Sequence, residues 1–207
     1  MFAAACVITA VLALTNWWSR AVNHRGAEQI TKPATTVGAI AIAVTAGAPA
    51  GPTTAAVGAL ALCLVGDVAL LPAIDRFITG LAAFLAGHVA FGVMFAMVGL
   101  ASLRLGGLGL LVCALVGAVT AVPILRGAER HGLRRPVTAY LMVISAMVVL
   151  GWSTGNWLFV GGSTAFIVSD AILGWGRFVR DHRWTSVAVM VTYHLAVVAL
   201  AAGLRLV

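Results

Sequence analysis

The chain has 207 residues, 62% of them hydrophobic and only 9% charged, against roughly 25% charged in a soluble domain, which excludes a water-soluble fold. Its formal net charge of +7 would suggest nucleic acid in a soluble protein. Here no basic module exists outside the short segments between apolar runs, so no nucleic-acid partner is expected.

Apolar runs of helical length fall at 2–18, 33–50, 53–71, 78–100, 106–125, 136–151, 157–176 and 185–204. They predict an all-α, polytopic integral membrane bundle of eight transmembrane helices forming one domain over 1–207. The first run lacks the basic leader of a cleavable signal and is expected to stay as a span. The second opens at Lys32-Pro33 and the sixth at Arg135-Pro136, where prolines suit a first helical turn. Pro49-Ala-Gly-Pro52 and Gly151 to Asn156 read as tight turns. The third run carries Gly66-Asp67. The fourth carries Phe84, His88, Phe91 and Phe95, whose spacing suits either ordinary packing or a wall for an acyl chain. The seventh carries Ser169-Asp170, and the eighth Tyr193-His194. All six tryptophans fall near run ends, as an interfacial belt requires. Cys6, Cys63 and Cys113 stand alone in apolar runs with neither metal spacing nor a disulfide partner.

Alternate loops carry the positive charge. Arg20, Arg25, Lys32, Arg76, Arg126, Arg130, Arg134, Arg135, Arg177, Arg180 and Arg183 lie on one side, against Arg104 and Arg205 on the other. The crowded side is therefore expected to be cytoplasmic and both termini outside, in a multi-pass protein of a bacterial inner membrane. Lys32-Pro33 and Arg135-Pro136 stand at the same offset as Asp67 and Asp170. That offset suggests a parallel repeat of four helices plus four.

Of the six acidic residues, only Asp67 and Asp170 fall inside predicted spans. An aspartate at a helix centre costs roughly 2.5–3.5 kcal/mol on insertion scales, so each is expected to face the bundle interior and to have a role. Counted from Arg76 and Arg177, both lie roughly 10–13 Å below the cytoplasmic boundary at 1.5 Å per residue. At one depth they can share a site as a proton donor beside a carboxylate. His88 and His194 also lie within spans, and Tyr140 and Tyr193, the only tyrosines, are expected to point into the polar site because a buried phenol needs a partner. Two aspartates and two histidines suffice to ligate a metal. No helix supplies two ligands by itself, however, and no metal or other cofactor is expected. Lys32 and Arg135 suit either topology anchors or phosphate contacts at headgroup level.

Taken together, Lys32-Pro33, Gly66-Asp67, Gly80-Leu-Ala-Ala-Phe84 with Gly87-His88, Tyr140, Ala165-Phe-Ile-Val-Ser169-Asp170 and Thr192-Tyr193 resemble the YhhN family of eight-span membrane proteins. The chain departs from that pattern at Phe91, where a tyrosine is frequent, and at His194, where a second aromatic is usual. The resemblance implies hydrolysis of the vinyl ether bond of lysoplasmalogens to a fatty aldehyde and a glycerophospho-ethanolamine or -choline. The partners would be a lysophospholipid substrate and the surrounding membrane lipids. From the residues' own chemistry Asp67 and Asp170 are expected to be catalytic, with Lys32, His88, Arg135, Tyr140, Ser169, Tyr193 and His194 as substrate contacts. The competing reading is a proton-coupled transporter of a small molecule or lipid, using the same aspartates as a relay.

Overall fold

A computed structural model describes all 207 residues. Eight α-helices follow one another as α1 (Phe2–Ala21), α2 (Arg25–Thr45), α3 (Ala50–Ala69), α4 (Phe77–Val98), α5 (Leu103–Arg130), α6 (Arg134–Ser153), α7 (Trp157–Phe178) and α8 (Thr185–Gly203). A 3₁₀ turn over Leu204–Leu206 closes the chain, and there are no strands. Seven of the helices are long and apolar enough to cross a membrane. The exception is α2, whose first two turns carry Arg25, Glu28 and Lys32.

The helix boundaries correct the sequence expectations in three places. α2 starts at Arg25 because His24 caps it, its Nδ1 accepting the Ala27 N–H at 3.1 Å. Pro33 is thus interior rather than first-turn, and Lys32 is two turns inside the helix and buried. α5 runs to Arg130, so Arg126 and Arg130 belong to a 28-residue helix and not to a loop. Residues 70–76 form a turn after α3, whereas Arg177 lies within α7. Asp67 therefore sits in the last turn of α3 and Asp170 two turns before the end of α7, and equal depth does not follow from counting to Arg76 and Arg177.

Successive helices pair as α1 with α2, α3 with α4, α5 with α6 and α7 with α8, while α2 also meets α3 and α8, and α6 meets α4 and α7. α5 lies outside, against α6 and α7. Small residues set the α3–α4 spacing: a Cβ on Gly66 would come within 2.5 Å of the Phe84 ring, and one on Gly87 within 3.2 Å of Ala59 O and Cys63 Sγ. Phe91 and Phe95 are fully buried in the main apolar cluster and serve as packing. At the other end Asn156 ties the helices together, its Oδ1 capping α7 at Leu158 N and its Nδ2 donating to Gly203 O at the end of α8. The four-plus-four repeat is not confirmed. Asp67 is flanked by α2 and α8 and Asp170 by α6 and α4, which correspond in helix order, but the flanking side chains differ.

Candidate functional site

Asp67 and Asp170 line one cavity of about 300 Å³ that opens between the C-terminal ends of α3 and α7 and the N-terminal ends of α2 and α8. The fold gives each aspartate its own tyrosine. Tyr193 on α8 donates its hydroxyl to Asp67 Oδ2 at 2.8 Å, and Thr36 on α2 donates to the same oxygen at 2.5 Å. Lys32, one turn before Thr36 on the same face of α2, places Nζ 3.7 Å from Asp67 Oδ1. Asp67 is thus held by three groups from two other helices, and its side chain is 0% exposed. Such a cradle of one cation and two hydroxyl donors suits a carboxylate.

Asp170 is surrounded differently. Tyr140 on α6 donates to its Oδ2 at 2.6 Å, and His88 Nε2 on α4 lies 3.6 Å from that same oxygen. No lysine or arginine is within ion-pair reach, and the side chain keeps 13% of its surface exposed. Both neighbours crowd Oδ2, so Oδ1 is the oxygen left for a ligand. His88 is fixed edge-on between the Tyr140 and Phe166 rings, at centroid distances of 5.3 and 4.5 Å, and neither of its nitrogens has a hydrogen-bond partner. Phe166 in turn meets the Tyr193 ring at 5.6 Å, so one buried phenylalanine spaces the two Tyr–Asp pairs.

Charged groups line both the mouth and the floor of the cavity, with apolar wall between them. Arg20 and Glu28 form an ion pair at the mouth, joined there by Arg177 and Asp181. Further in, Leu173, Val189, Met190 and Phe84 line the wall. Ser169 also lines it, but its hydroxyl donates to Val189 O at 3.1 Å, which fastens α7 to α8.

Of the residues singled out in the sequence, Lys32, Asp67, Ser169, Asp170 and Tyr193 share this cavity, and Tyr140 and His88 stand behind Asp170. His194 does not line it; its Nδ1 accepts the Trp17 Nε1–H at 3.0 Å, which also takes Trp17 out of a purely interfacial role. Arg135 is exposed at the start of α6 and is not among the lining residues. Nowhere do three His, Cys, Asp or Glu side chains gather as a metal-binding group. Sequence reasoning missed Thr36, Arg20, Glu28, Arg177 and Phe166. Only the Glu28–Lys32 spacing, one helical turn, carried a readable signal for α2.

The YhhN family model matches residues 27–204, a stretch that contains every residue of the site except Arg20 at its mouth and Trp17 beside His194. The chain belongs to the YhhN family. Among curated proteins it is similar to lysoplasmalogenase TMEM86B of Rattus norvegicus, 32% identical over 143 residues, covering 67% of this chain and 56% of the relative. The Homo sapiens protein of the same name is 32% identical over 143 residues, covering 67% of this chain and 58% of that protein. The lysoplasmalogenase of Mycobacterium bovis is 30% identical over 134 residues, covering 61% and 50%. The match with this YhhN family member thus spans between half and three fifths of these relatives' length. No solved structure matches the chain.

Proposed function

We propose that the chain is an intramembrane hydrolase that cleaves the vinyl ether bond of lysoplasmalogens. The observation that carries this reading is one cavity holding two aspartates in unlike surroundings, Asp67 beside a lysine and Asp170 beside none. Membership of a family whose curated relatives bear the name lysoplasmalogenase supports it.

Vinyl ethers hydrolyse by protonation of the outer alkene carbon, which moves the π electrons toward oxygen and leaves an oxocarbenium ion. Water adds to that ion, and the hemiacetal collapses to an aldehyde and the glycerol hydroxyl. One water is consumed and no redox partner is needed. The step requires an acid, a nearby negative charge and a positioned water, the set that glycosidases use on a comparable cation. Asp170 supplies the proton from Oδ1, since Tyr140 occupies Oδ2. Asp67, beside Lys32 and bonded by Thr36 and Tyr193, acts in its carboxylate form to stabilise the cation and take the proton of the attacking water. Arg20 and Arg177 at the mouth bind the phosphate, while Glu28 and Asp181 meet the ammonium of an ethanolamine or choline head.

The test is a panel of lysophospholipids incubated with purified protein in detergent micelles. The vinyl ether lipid is expected to yield aldehyde, and the alkyl ether and acyl analogues are expected to remain intact. A panel left wholly unchanged overturns the reading and favours a transporter, which has nothing to do without a sealed compartment. Cleavage of the acyl lipid alone points instead to an esterase.

A further inference from the structure

Asp170 is the only residue that lines three separate cavities. One is the charged cavity described above. The second is an apolar cleft of about 50 Å³ beside Phe84 and Leu141. The third is a groove of about 400 Å³ between α5, α6 and α7. The groove has no part in the chemistry proposed so far.

Its composition is that of a hydrocarbon site. α5 forms one wall and is the least buried of the seven candidate spans; Leu115 and Val119, on its outer face, are exposed. Apart from Ser145 and Asp170, the polar side chains in the groove are turned onto backbone carbonyls: Thr120 donates to Val116 O and Thr138 to Arg134 O, each at 2.8 Å, and the Cys113 thiol lies against Ser145 O. They therefore present methyl and methylene surface, and Asp170 is the single ionisable oxygen acid in the groove. Gly117 faces open space in the groove, since a Cβ there would meet nothing within 4 Å.

We infer that this groove holds the hydrocarbon chain of the lipid substrate, entered sideways from the bilayer between α5 and α6. The inference rests on the reading of Asp170 as a residue that acts on lipid. A lipid whose head occupies the charged cavity and whose chain occupies the groove must cross from one to the other at Asp170. The bond joining chain to head falls at that crossing. The same geometry separates the products: the aldehyde leaves along the groove into the membrane and the glycerophospho-base leaves through the charged mouth.

The probe for the test is an acyl lysophosphatidylcholine with a photoactivated diazirine at mid-chain, which binds as a lysolipid without a vinyl ether to cleave. Cross-linked peptides are mapped by mass spectrometry in the wild-type protein and in Gly117→Phe, whose Cβ starts in open space and whose ring is expected to occupy the groove. Adducts are expected to concentrate on 113–121 and 138–145 and to fall about tenfold in Gly117→Phe, a loss of about 1.4 kcal/mol in chain binding. In parallel, the ratio of kcat/KM for a long-chain over a short-chain vinyl ether is expected to fall by a similar factor. Adducts spread evenly over the lipid-facing helices, or undiminished in Gly117→Phe, overturn the inference. Should Gly117→Phe not fold, the wild-type map decides by itself. Focused adducts in a protein that cleaves no vinyl ether uphold the groove and sink the hydrolase reading instead.

Discussion

Asp170→Asn is expected to lower turnover of a vinyl ether lysolipid by about 10²–10⁴-fold, the range for loss of a general acid. Asparagine keeps the shape of the side chain and can still accept the Tyr140 hydroxyl now bound to Oδ2. What it lacks is an acidic proton on the other atom, and an amide does not protonate an alkene carbon. The purified variant should therefore insert, elute and unfold like the wild type while losing its rate. Single-turnover kinetics beside a thermal unfolding curve make the comparison. A variant within a few-fold of the wild-type rate would remove Asp170 from the acid role.

The second large effect concerns stability. Lys32→Met takes away the only cation in contact with Asp67, whose side chain is fully buried. Breaking a buried pair from one side costs about 3–5 kcal/mol, and the lower end applies because 3.7 Å is an ionic contact rather than a hydrogen bond. Methionine matches the lysine stem in length, so the loss is not one of packing. Removing the charge as well, in Lys32→Met with Asp67→Asn, is expected to recover most of the stability and none of the turnover. Unfolding temperature in a fixed detergent, measured for the two single variants and the double, decides the matter. A Lys32→Met protein as stable and as active as the wild type would show that Asp67 does not depend on this partner.

Much of the site was legible because of what a bilayer costs. An aspartate or a phenol in an apolar run stands out, since either must find a partner or a role. Asp67, Asp170, Tyr140 and Tyr193 were found on that ground, and the structure pairs them as Asp67 with Tyr193 and Asp170 with Tyr140. Thr36 was not legible because a helical threonine usually turns its hydroxyl to the preceding turn, as Thr31 and Thr35 do here. Nothing in its immediate sequence separates it from them. Arg20 and Glu28 were hidden by the charge pattern itself, which marks loop-side residues for topology and does not say which of them turn inward. Pro33 misled for a related reason: a proline after a lysine looked like a helix start, whereas His24 begins α2 eight residues earlier. Lys32 was consequently placed at the headgroup level and not against Asp67. Arg135 was paired with Lys32 through their common offset from the two aspartates, but the first is exposed and the second buried. Sequence spacing alone does not reveal which way a side chain faces.

In the proposed mechanism a side-chain acid adds a proton to the outer vinyl ether carbon. The most direct measurement is the isotope content of the aldehyde released in deuterium oxide, trapped at once by reduction to the alcohol. The mechanism predicts one deuterium on the carbon next to the former carbonyl, together with slower turnover than in ordinary water. An aldehyde formed without deuterium at that carbon would contradict it, because the bond would then have been broken without protonating the alkene.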